Sequence, residues 1–105
     1  MPAKSKKLNP IRGWDVVLTR DPIGRPIVRA INPDGGPRDF IEASTDETED
    51  GQRVSCEAVE RAILWELVRQ APTNKKPAAQ AELDAYTTQV AAARSARIRA
   101  MILEK

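Results

Sequence analysis

From Trp14 onward the chain alternates. Trp14, Val16 and Leu18 interleave with Asp15, Val17 and Thr19, a period of two that predicts a half-buried strand. Asp21-Pro22-Ile23-Gly24 follows, with proline suited to the second position of a turn and glycine to the fourth. Ile27 to Ile31 is a second apolar run, so the two runs predict an antiparallel hairpin. Asn32-Pro33-Asp34-Gly35-Gly36-Pro37 is the densest turn signal in the chain. Beyond it, Asp39 to Ala43 reads as a third strand, Phe40 on one face and Ile41 and Ala43 on the other. A lone hairpin is marginal in water, so a third strand or a covering helix is physically required.

The period then changes. An acidic stretch from Ser44 to Gly51 leads to Ser55, whose hydroxyl suits an N-cap, with Val54 and Val59 spaced as a hydrophobic staple and Glu57 in the first turn. This predicts a helix over about 55–70, ended by Pro72 because the residue before a proline disfavours helical geometry. After the connector Thr73-Asn74-Lys75-Lys76, Pro77 opens a second, alanine-rich helix over about 77–103. The expected fold class is α+β: an antiparallel sheet of two or three strands over about 14–43, with two antiparallel helices covering one face. Residues 1–12, polar, basic and broken by Pro2 and Pro10, read as a flexible arm, and residues 13–105 as a single domain.

Composition narrows the chemistry. The 105 residues contain no histidine and one cysteine, which removes the commonest acid–base side chain and puts a structural zinc site out of reach. Ser5, Ser44, Ser55 and Ser95 have no histidine to activate them, and no glycine-rich phosphate loop occurs. A lone Cys56 cannot form an internal disulfide and reads as a small buried hydrophobe. The chain is therefore expected to be no enzyme, to need no cofactor, and, lacking a membrane-spanning stretch or signal peptide, to be cytoplasmic with no membrane partner.

Four patterns are candidates for function. Asp46-x-Thr48-x-Asp50-Gly51, with Glu57 further on, has the ligand spacing of an EF-hand calcium loop. Arg53 stands where that pattern wants an aliphatic residue and a strand precedes Asp46, so the expectation is a solvated acidic loop and no metal. In the second helix Leu83, Tyr86, Val90, Ile98 and Met101 form one stripe that also holds Arg94 and Arg97. Either a partner meets those guanidinium groups, or the helix leaves the domain near Arg94 and is solvated, the reading favoured because arginine is seldom buried unpaired. Trp65 lies outside the apolar arc of the first helix. Burial against the second helix is favoured over an exposed anchor, since tryptophan is highly buried on average.

Lys4, Lys6, Lys7 and Arg99, with Arg20, Arg25, Arg29 and Arg38 from the strand half, would supply an electrostatic footprint for nucleic acid. A formal net charge of only +2, no helix-turn-helix and no aromatic row on the strands make that the second reading. The first is a small non-enzymatic protein–protein interaction or assembly module, of phage or bacterial accessory or inhibitor type. It would use Arg94, Arg97 and Trp65, and self-association through the long helix is open to it.

Overall fold

The computed structural model describes residues 5–34 and 40–103. They form four strands and two helices: β1 (Lys6–Ile11), β2 (Trp14–Arg20), β3 (Pro26–Ile31), β4 (Phe40–Ser44), α1 (Glu49–Gln70) and α2 (Lys76–Leu103), with a single 3₁₀ turn at Thr73–Lys75 between the helices. The class is α+β, as the hydrophobic periods imply, but the sheet has four antiparallel strands in the order β1-β2-β3-β4 rather than two or three. Lys4, Arg38, Asp39 and the Gly35–Pro37 part of the second turn lie outside the described residues.

The extra strand comes from the segment read as a basic arm. Lys6, Lys7 and Leu8 pair with Leu18, Val17 and Val16, the register slips, and Ile11 then pairs with Trp14. Pro10 sits within that slip, on an edge strand, where a missing N–H costs little. Arg12 and Gly13 make the two-residue connection, with φ of 53° and 83°. Positive φ at both central residues is the signature of a type I′ hairpin turn, whose twist matches that of the flanking strands. Arg12 is held there by its side chain, whose Nε donates to Glu60 Oε2 at 2.9 Å, tying the hairpin to α1. Gly13→Ala forces a Cβ into the left-handed region. It should destabilise the fold by about 1–2 kcal/mol, read as a lower urea midpoint at unchanged m-value.

The β2–β3 turn is held by Asp21. Its Oδ1 accepts from the backbone N–H of Ile23 at 3.0 Å and of Arg25 at 2.8 Å, while Gly24 N–H donates to its carbonyl at 2.9 Å. The Arg25 backbone N–H leads in holding the Asp21 carboxyl below its ordinary range, with the Arg25 side chain, the Ile23 N–H and the Arg25 charge adding to it.

The chain divides into two compact units, Met1–Ile63 and Leu64–Lys105, with the boundary inside α1. In the first unit one face of the sheet and the first half of α1 share a core of Trp14, Val16, Val28, Ala30, Val59 and Ile63. Leu8, Ile11, Leu18, Ile41, Ala43 and Cys56 pack around it. The opposite sheet face carries the cross-strand row Lys7, Val17, Arg29 and Glu42. Arg29 lies 2.6 Å from the Glu42 carboxylate and 5.5 Å from the centre of the Phe40 ring, both on its own face.

Helix α1 begins six residues before the expected start, and Ser55 is not its cap. Thr48 is: its Oγ1 accepts from Gly51 N–H at 2.9 Å, and Asp46 Oδ1 accepts from Thr48 N–H at 2.8 Å. A Cβ on Gly51 would collide with the Asp46 carboxylate, so glycine there allows the turn to close on the helix. Ser55 is instead buried within the helix, its Oγ 2.6 Å from the Ser44 carbonyl and 3.0 Å from that of Gly51, so it joins the end of β4 to the helix backbone. Val54, the expected staple residue, is exposed.

In the second unit α1 ends as Pro72 requires. Lys76 Nζ then donates to the carbonyls of Val68 and Arg69 at 3.0 and 3.1 Å, satisfying two of the acceptors that a helix C-terminus leaves open. Leu64 and Leu83 are buried, and Leu83 is the one buried residue of the 28 in α2.

Candidate interaction surface

Helix α2 is built to stand without much tertiary help. Alanine, the best helix former, recurs along it, and Pro77 in its first turn is pre-set for helical φ. Leu83 is buried and Tyr86 and Val90 are half-buried, so the stripe read from the sequence is covered over its first half. Thereafter cover thins, Arg97 alone keeping the partial burial of Tyr86 and Val90. Arg94 is exposed, Arg97 half-exposed and Arg99 exposed. Ile98 and Met101 of the stripe lie open, as do Ile102 and Leu103, the last two 66% and 77% exposed. Ser95, Ile98, Arg99, Ile102 and Leu103 line a shallow groove of about 300 Å³.

Isolated exposed aliphatic side chains are ordinary, but Ile98, Met101 and Ile102 fall within about 100° of the helix circumference and make one open apolar flank, with Leu103 beyond it. Trp65 overturns the expected burial. It is 57% exposed on the solvent side of α1, with Leu67 exposed two residues on. An open tryptophan is the kind of residue that anchors protein interfaces.

The remaining candidates fare differently. The Asp46 carboxylate accepts from both the N–H and the hydroxyl of Thr48, chiefly the hydroxyl, and these bonds hold it below its ordinary range. Asp50 pairs with Arg53. The calcium-like spacing thus forms the capped start of α1, and among the described residues no cluster of three or more acidic or cysteine side chains is arranged to hold a metal ion. Cys56 is half-buried against the core, and burial first, then the charge of Glu57, pushes its thiol up, so it is a neutral thiol rather than a nucleophile.

The basic residues are dispersed. Lys6 and Lys7 sit on opposite faces of an edge strand, neighbours of Leu18 and Val17. Arg20 meets Glu47 at 2.8 Å, Arg25 meets Asp21 at 3.0 Å, and Arg29 is taken by Glu42. Among the described residues no helix is long and apolar enough to cross a membrane. Protein-family models, curated proteins and solved structures were compared with the chain, and none matches.

Proposed function

We propose that this chain is a small non-enzymatic interaction module that binds another protein through the distal half of α2. The observation that carries the proposal is the open apolar flank of Ile98, Met101 and Ile102 at the end of the alanine-rich α2. Such a helix offers the apolar face of a helix-in-groove or helix-to-helix interface, with Arg94 and Arg99 as polar flanks. The absence of histidine, a neutral Cys56 and a spent acidic loop support a role without catalysis. Nucleic-acid binding is less favoured. Three of the strand-half arginines it would use already face carboxylates, which a phosphate would have to displace.

Affinity capture with the chain and with an Ile98→Glu/Ile102→Glu variant tests the proposal. The parent should retain a defined protein partner and the variant should lose it at least tenfold, with unchanged helical circular dichroism. Retention of nucleic acid that declines steeply with salt, and no protein, would favour the alternative.

A further inference from the structure

We propose that the partner of α2 is the α2 of a second copy of this chain, paired antiparallel with Asp84 of each opposite Arg99 of the other. This inference rests on the proposed function of α2 and names its occupant. Along the flank of the helix beside the covered Leu83–Val90 stripe, Ala81, Asp84, Thr88, Ala91, Ser95, Ile98 and Ile102 follow one another at steps of three and four. That is the spacing of a helix-pairing seam, and every one of these residues is exposed.

The seam is lopsided in size. Its first half carries Ala81, Thr88 and Ala91, with Ala85 beside them, and its second half Ile98 and Ile102. In a parallel pair, large residues would meet large ones at one end and small would meet small at the other, so the axes would splay. The antiparallel register sets Ala81 against Ile102, Ala85 against Ile98 and Thr88 against Ser95, with Ala91 and Ala92 at the two-fold. Each bulky side chain then meets a small one, and the axes stay evenly spaced.

Charge selects the same register. Asp84 lies opposite Arg99, and symmetry makes the pair twice. A parallel pair would instead oppose Asp84 to Asp84 and Arg99 to Arg99, at a cost. Antiparallel helix dipoles add a small favourable contribution. The interface is the same patch on both chains, so it closes at two copies and does not propagate. From Ala81 to Ile102 the seam is about 32 Å long, small for a stable interface, and pairing should set in only at high protein concentration.

Light scattering across a series from low micromolar to millimolar should show the mass rising from one chain to two and no further. Asp84→Arg and Arg99→Asp should each weaken the dimer by about five- to tenfold, since two ion pairs become two like-charge contacts. The double variant should regain the parent affinity, because the swapped charges again face each other. In a Cys56→Ser background, Ala81→Cys chains should cross-link to Ile102→Cys chains and not to themselves. A mass of one chain at millimolar concentration, or a dimer indifferent to both reversals, overturns the inference. If that happens while the Ile98→Glu/Ile102→Glu variant still loses a different captured protein, the binding role of α2 stands with another partner. If nothing is captured either, both fail.

Discussion

Trp14→Ala should lower stability by about 3–5 kcal/mol, the cost of removing a large buried aromatic side chain and leaving a cavity behind it. Trp14 opens β2, is 8% exposed, and belongs to the core with Val16, Val28, Ala30, Val59 and Ile63, with Ile11 across the hairpin from it. Few of these neighbours can move to fill the space, because most sit on paired strands whose register is fixed on both sides. The measurement is urea unfolding followed by circular dichroism, which does not depend on the deleted chromophore. Trp65→Ala is the control. With most of its surface already in water, its loss should change stability by no more than about 0.5 kcal/mol. If the two substitutions cost the same, the assignment of Trp14 to the core and Trp65 to the surface is wrong.

That contrast also marks how far the sequence could be read. Both tryptophans look alike in composition, and the tendency of tryptophan to be buried favours the wrong outcome for Trp65. The period-2 run from Trp14 and the Asp21–Gly24 turn are local signals, and β2 and β3 follow from them directly. The edge strand β1 does not. Lys6, Lys7, Asn9 and Pro10 have little β-preference of their own, and what makes them a strand is the pairing of Leu8 with Val16 and Ile11 with Trp14. The one local trace was Arg12-Gly13 between two runs, where a glycine permits the turn.

The start of α1 was hidden for a related reason. Ser55 is a good capping residue by type, but its hydroxyl is claimed by the carbonyls of Ser44 and Gly51, and Thr48 caps because Asp46 folds the preceding turn onto it. The acidic pair Glu49 and Asp50, favourable at a helix N-terminus, was the legible clue. On α2 the covered stripe through Leu83 and Val90 was readable, since large residues give a strong period. The adjoining seam of Ala81, Thr88, Ala91 and Ser95 was not, because small residues carry little hydrophobic contrast and matter only once exposure is known.

Ile63→Ala should cost about 2–5 kcal/mol and so threaten folding of the first unit outright, since small domains hold only about 5–15 kcal/mol in total. Ile63 is fully buried, and with Val59 it supplies the fully buried α1 side chains of the shared core, Cys56 being only half-buried. Four antiparallel strands pair without it, but their apolar face of Val16, Val28 and Ala30 would lose its best-packed cover. Ile63→Val, which removes one methylene from the same site, should cost only about 0.5–1.5 kcal/mol. The ratio between the two losses separates cavity formation from a general intolerance of change at this position. Amide hydrogen exchange gives the decisive readout: Ile63→Ala should speed exchange at Val16, Val28 and Ala30 together, as one cooperative unit. Faster exchange confined to α1 would show that the sheet holds its own core and that the helix is an accessory to it.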